Sequence, residues 1–408
     1  MQSLNKLQLN IWFLGFFFYP LTFFMFKLQS FDISFFKIFV IILIPFQLYT
    51  QLGSQKIFLN KYILILFFLV LLSLIINPFE IRIILNSISY FFVLVFAVMG
   101  LSILSKSESG LVLKLFKKVI TIWFYLIFLG FVQLILSYFG FDFSWESIGE
   151  PSPENKGNFL GRFLIRPASL FGEPRRFSAH IILFSFLYFY ICKIKVNKLL
   201  LLMFIFLGIS TQSSTFILVT FFSLFIFFRI SLFKMLLALV LLFISSTYII
   251  STLKLLAPRL MLSQEFSIDL LNTPAYAEQA GDFSFFVYVI YSDLIQFLFG
   301  NGIGMSNSVI ATFTDIFIYT KSEFDFINSR WLFYTLLIDF GLIGLIYFTY
   351  LIIKHIPRDK SFLTLSLLSI VTCLFTGSFI FIFIILILNI INKNIEKKKL
   401  NLLTQTIY

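Results

Sequence analysis

Four arginines, one glutamate and two prolines crowd into the stretch RFLIRPASLFGEPRRFSAH, from Arg162 to His180. Arginine presents a planar fork of donors that matches phosphate oxygens two at a time. Pro174 follows Gly172-Glu173 and precedes a strongly apolar run. Proline suits the first position of a helix, so a helix is expected to start there. Arg175 and Arg176 then fall in its first turn, the wrong end of the helix dipole for cations. Helix N-termini attract anions, so two arginines there make sense when an anion is shared between them and the exposed N–H groups. Arg162 and Arg166 can join from the preceding segment. Glu173, among these cations, can orient an arginine or accept a proton from a hydroxyl. Lipid headgroups at an interface answer the same arginines, and the residue types leave both readings open.

Three further stretches carry polar groups through apolar surroundings. LFGNGIGMSNS, Leu298–Ser308, is a glycine-rich turn after the amphipathic run Phe283–Leu298. INSRWLFYTLLIDFGLIGLIYF, Ile327–Phe348, opens with Arg330 and Trp331, types that anchor at membrane interfaces. Asp339 lies about two turns further on. An acid within an apolar span is costly and is a functional candidate by default, or else the buried partner of an arginine. STQSST, Ser210–Thr215, is a polar turn whose hydroxyls can satisfy the local backbone or line a site.

The elements that must position these residues follow from composition. The chain is 60% hydrophobic and 12% charged, which does not describe a soluble domain. Its apolar runs are about as long as a bilayer core requires of a helix, and they are continuous, as in helices and unlike the strands of a barrel. The spans expected are 11–26, 33–49, 60–77, 83–104, 118–139, 177–192, 198–210, 213–228, 235–252, 331–353, 362–375 and 377–392. The fold class is therefore all-α: a single polytopic membrane bundle over 1–408, with about twelve transmembrane helices. The first span has no small-residue cleavage site after it and reads as a retained helix.

Lys and Arg set the orientation. With the N-terminus inside, the inner segments hold 19 Lys+Arg against 3 Asp+Glu, and the outer segments 11 against 15. Both termini are then cytoplasmic. Two large outer loops result, 140–176 and 253–330. The net charge of +12 is split among separate loops. It is an orientation signal and not a nucleic-acid footprint. The two cysteines, Cys192 and Cys373, sit in apolar helix sequence and read as small apolar residues. His180 and His355 fall on opposite faces, which argues against a metal site. No cofactor signature is present.

These motifs resemble the O-antigen polymerase (Wzy) and O-antigen ligase superfamily of bacterial envelope proteins. RPASLFGEPRRFSA is similar to its arginine, Phe/Gly and Glu-Pro pattern before a helix. TQSST is similar to its Thr-x-Ser turn, LFGNGIG to its Phe-Gly-x-Gly-x-Gly element, and NS…L…DFGLIG to its closing signature. The four occur in the same order along most of the chain.

The resemblance implies a metal-independent, GT-C-like glycosyltransferase, without cofactor, on the outer face of the bacterial inner membrane. Its substrate would be an oligosaccharide on undecaprenyl diphosphate, with membrane lipid around it and a chain-length regulator and flippase as partners. Arg166, Arg175 and Arg176, with Arg162, would hold the diphosphate. Glu173 would serve as base or orient an arginine. Arg330 would close the site, Asp339 would support it from within the bundle, and Arg259 would approach from the long loop.

One departure separates the members. Ligases carry a histidine immediately before the Asn of the closing signature, where this chain has Ile327. That favours polymerase over ligase. A flippase of the same lipid-linked sugar is the rival from another class. It would need charged or broken helices near the midplane, and ionisable residues inside the expected spans are only Lys37 and Asp339. A sensory protein would need an inner domain, and no inner segment is long enough. The sugars and the linkage are not encoded in any of these motifs.

Overall fold

The computed structural model describes residues 2–21, 25–28, 31–52, 81–141, 156–159, 162–171, 174–195, 197–228, 289, 292–302, 332–374 and 378–405. Most of these are helical. The expected spans 60–77 and 235–252 lie outside the described residues.

Helix α1 is Gln2–Phe18, earlier at both ends than the expected span 11–26. Pro20 accounts for the early end: it has no N–H, and it disfavours helical geometry at Tyr19. A hairpin follows, β1 Met25–Leu28 against β2 Phe31–Ser34, antiparallel with Met25 opposite Ser34. It feeds directly into α2, Phe35–Leu52, which keeps Pro45 in its interior. Next come α3, Ile81–Lys106, and α4, Ser109–Tyr138. The inner loop expected over 105–118 is mostly helix. Helix α4 begins at Ser109, because Val112, Phe116, Val119 and Ile120 already present a buried apolar face at helical spacing.

The segment 140–176, expected as the first outer loop, contains a second hairpin, β3 Lys156–Phe159 against β4 Arg162–Ile165, then a 3-10 turn, Ser169–Phe171. The described residues are mostly helical, as expected, and the two short hairpins are an addition to that expectation. An isolated hairpin is marginal in stability. This one is braced by Phe159 and Leu164, which pack on Leu134 of α4. Helix α5 is Pro174–Cys192, starting at the expected proline. Then follow α6 Lys198–Ser210, α7 Ser214–Phe228, α8 Leu294–Phe299, α9 Leu332–His355, α10 Lys360–Leu374 and α11 Ile380–Gln405. Asn197 caps α6 by accepting from Leu199 N at 3.0 Å, and Asp359 caps α10 by accepting from Ser361 N at 2.9 Å. Both are residue types that favour the cap position.

Aromatic rings fill the centre. Trp12 stacks on Phe96 at 5.1 Å, and Phe383 meets both edge-on. Phe16 touches Trp123 at 4.8 Å, and Trp123 stacks on Phe184 at 4.4 Å. Each of these two indole N–H groups finds a carbonyl: Trp12 donates to Phe96 O and Trp123 to Phe17 O, both at 3.1 Å. Gly100 makes the first of these possible, since a Cβ there would stand 2.6 Å from Trp12 Nε1.

The outside is apolar too. Ile135, Leu202, Ile346 and Ile353 are each more than half exposed, while Gln133, Ser169, Thr211 and Asp339 are buried. Among the described residues, two helical stretches are long and apolar enough to cross a membrane: Ser109–Tyr138, mean hydropathy 2.4, and Leu336–His355, mean hydropathy 2.2. Shorter apolar helices accompany them, among them Arg176–Cys192 and Lys198–Ser210.

Removing the central ring should be felt far more than removing an outer side chain. Trp12→Ala is expected to destabilise by about 3–5 kcal/mol. Ile346→Ala should stay within about 0.5 kcal/mol of wild type. Thermal unfolding of the two purified variants in the same detergent checks the contrast.

Candidate functional site

The arginine segment is fastened to one face of α4. Gln133 Oε1 accepts from two successive backbone groups, Ala168 N at 3.0 Å and Ser169 N at 2.7 Å. Ser137 Oγ accepts from Ile165 N at 2.8 Å, and Ser169 Oγ donates to Leu126 O at 2.7 Å. Leu126, Gln133 and Ser137 are spaced seven and four apart, so they share a helix face. Ser169 adopts φ 51°, a left-handed conformation that costs a residue other than glycine of order 1–3 kcal/mol. The bonds to α4 hold it there.

Arg166 stands between these fixed points, half-buried. Its Nε donates to Thr211 O at 2.8 Å. Thr211 is the C-terminal cap of α6, where carbonyl oxygens gather and a cation is favoured. The RPASLF stretch and the TQSST turn are therefore one structural unit. Within that turn Ser210 Oγ donates to Leu207 O at 2.7 Å and Thr211 Oγ1 to Gly208 O at 2.6 Å. For these two hydroxyls, serving the local backbone is the reading that holds.

The other arginines are placed differently. Arg162 is exposed and lies over the Tyr138 ring, 4.1 Å from its centroid. Arg175 and Arg176 fall in the first turn of α5, as expected, and Arg176 is close enough to Tyr19 to act on it electrostatically. The Tyr19 hydroxyl accepts from Phe379 N at 3.1 Å, which ties the end of α1 to the start of α11. Glu173, Arg259 and Arg330 lie outside the described residues, as does the side chain of Arg175.

His180 carries no role in the sequence reading, yet it is enclosed one turn beyond Arg176. Its ring stacks on Phe171 at 5.0 Å, and its Nδ1 donates to Arg176 O at 2.6 Å. A carbonyl can only accept, so Nδ1 carries a hydrogen. Gln133, Ser137 and Ser169, which hold the arginine segment in place, are also residues that sequence reasoning missed. A single glutamine in an apolar helix was the one signal for them.

Asp339 belongs to a second junction. Helix α9 is expected from the sequence as one uninterrupted span, but it breaks at Gly341, with φ 68° and ψ −176°. At the break, Ile338 O accepts from Asn301 N at 2.7 Å and Asp339 O from Gly302 N at 3.2 Å. The glycine-rich turn after α8 thus serves carbonyls of a broken helix, which must find partners when they are buried. Contact is backbone to backbone. A Cβ on Gly300 would sit 2.5 Å from Asp339 O, and one on Gly341 would strike Leu298 O. The Asp339 side chain is fully buried beside this seam.

A substitution at the seam should separate sharply from one in an open helix. Gly341→Ala meets both a disfavoured conformation, of order 1–3 kcal/mol, and a backbone clash. It is expected to lower the unfolding midpoint and the yield of folded protein. Gly110, in α4, has open space within 4 Å of where a Cβ would stand. Gly110→Ala should therefore be neutral or stabilising by up to about 1 kcal/mol. Denaturant titration of both variants decides. The chain matches no protein-family profile, no curated protein and no solved structure.

Proposed function

We propose that this protein is a membrane glycosyltransferase that polymerises oligosaccharide repeat units carried on undecaprenyl diphosphate. The bundle, of about twelve helices and GT-C-like, would lie in the inner membrane of a bacterium with this site facing outward. One observation carries the reading: the four motifs of the resemblance pair off in space. RPASLF is bonded to TQSST through Arg166, and LFGNG is bonded to the DFG break through Asn301 and Gly302.

The chemistry follows from the residue types. A hydroxyl oxygen of the acceptor sugar attacks the anomeric carbon of the donor. The bond from that carbon to the lipid diphosphate breaks, and its electron pair leaves on the diphosphate oxygen. Arg166 and Arg176, with Arg162 and Arg175, would hold that growing negative charge. Glu173 would take the hydroxyl proton or orient an arginine. Outside the cell no nucleotide sugar is at hand, so an activated lipid donor suits the location. Arg330, Asp339 and Arg259 would support the site. Ligase and flippase are the alternatives, and both differ in what accumulates.

The test is a surface-glycan gel of a deletion strain complemented with wild type or with point variants. Loss of the long ladder with a single-repeat band surviving is the polymerase result. Arg166→Ala and Glu173→Ala should each reduce polymer by about 10²–10³ in rate, the usual loss when one charge-stabilising group is removed. If both variants accumulate normally and leave chain lengths unchanged, the site assignment fails. Free polymer left on its carrier would mean a ligase. Single units trapped inside would mean a flippase.

A further inference from the structure

The lysines expected to mark the inner face do more than lie in separate loops. Lys114, Lys117 and Lys118 stand at i, i+3 and i+4 on α4, so they share one side of the helix. All three line an open cleft of about 660 Å³, together with Thr121 and, from the end of α5, Cys192. Thr121 Oγ1 and Cys192 Sγ are 3.9 Å apart, so the two helices touch within the lining of the cleft. Among the described residues no acid lines it. Like charges at this spacing repel one another, and an anion in the cleft would relieve them. Directly after Cys192 come Lys193, Lys195 and Lys198, all exposed.

The same side of α4 changes character along its length. Lys114 and Lys118 are exposed, and at the same helical spacing Ile122 and Tyr125 follow, 46% and 60% exposed, then Val132 at 45%. A cationic cleft thus passes into an exposed apolar stripe along one helix. Free phosphate would match the first half alone. An anionic phospholipid matches both, with its phosphate among the lysines and its acyl chain along Ile122 and Tyr125.

We infer that the cleft between the start of α4 and the end of α5 is a binding site for the phosphate headgroup of an anionic phospholipid. The inference rests on the membrane placement proposed above and is independent of the glycan chemistry. It assigns these lysines a specific ligand in addition to their part in orientation.

Cys192 provides a built-in reporter, being half-buried in the cleft, whereas Cys373 is 1% exposed. The full-length protein is reconstituted in nanodiscs of phosphatidylglycerol or of phosphatidylcholine. The rate of maleimide labelling at Cys192 is followed by peptide mass mapping. Phosphatidylglycerol is expected to slow labelling several-fold, and millimolar inorganic phosphate in phosphatidylcholine nanodiscs is expected to leave it unchanged. The variant with Lys114, Lys117 and Lys118 all replaced by Gln should lose the protection, which separates site occupancy from the general surface potential of the bilayer. Replacement of all three by Arg should retain it and shows that the helix still folds. Protection that survives the Gln variant, equal rates in the two lipids, or protection by phosphate alone would each overturn the inference. Fractionation of the cells comes first: a protein recovered from the soluble fraction defeats the membrane reading itself, whereas a membrane-bound protein with lipid-independent labelling defeats only the lipid site.

Discussion

Two consecutive backbone N–H groups, those of Ala168 and Ser169, point at one side-chain oxygen of Gln133, and the arginine segment depends on that carboxamide. A stretch that is neither helix nor strand must still pair its backbone when it is buried. Here α4 does this at Leu126, Gln133 and Ser137, and Arg166 is carried into position as a result. The strained Ser169 fits the same scheme. Its left-handed turn redirects the chain toward Pro174, where α5 can begin. Polar residues in the interior therefore act as fasteners for irregular backbone, while the rings of Trp12, Phe96, Trp123 and Phe383 supply the packing that keeps α1, α3, α4 and α11 together.

The second junction obeys the same constraint with different parts. At Gly341 the helix leaves its ladder, and the turn after α8 supplies the missing donors from its own backbone. The two stretches of main chain approach so closely that a Cβ on either side would collide, which is why glycine stands on both sides of the seam. Asp339 is held beside the break by the backbone bonds of its own carbonyl and its neighbour's.

Much of the architecture was legible because hydrophobic runs and punctuation agree. The run 198–210 is bounded by the capping Asn197 and the polar turn at Thr211, and the helix has those limits. Pro174 marks the start of α5 in sequence and structure alike. The disagreements have local physical causes. Pro20 suggests a kink inside a span, but so near a helix end it stops the helix and leaves room for a hairpin. The lysines of α4 suggest a loop only while the buried face of Val112 and Phe116 is left out of account. The site was less legible than the fold. Gln133 bonds to residues 35 and 36 positions away, and Asn301 to one 37 away. Pairings at that separation leave no periodicity in the sequence. Gly341 gave no warning either, since a glycine inside an apolar run is compatible with an unbroken helix.

The break in α9 also bears on how the chain is made. Counted across Gly341 the helix is long enough to span a bilayer. Its two pieces, 332–340 and 342–355, are each shorter than the roughly 20 residues that let a helix cross unaided. Neither piece is a self-sufficient unit for insertion. The glycine turn that supplies the missing donors at the break precedes α9 in the chain. The two pieces of α9 are therefore completed by docking onto the turn after α8, and not by a helical ladder of their own.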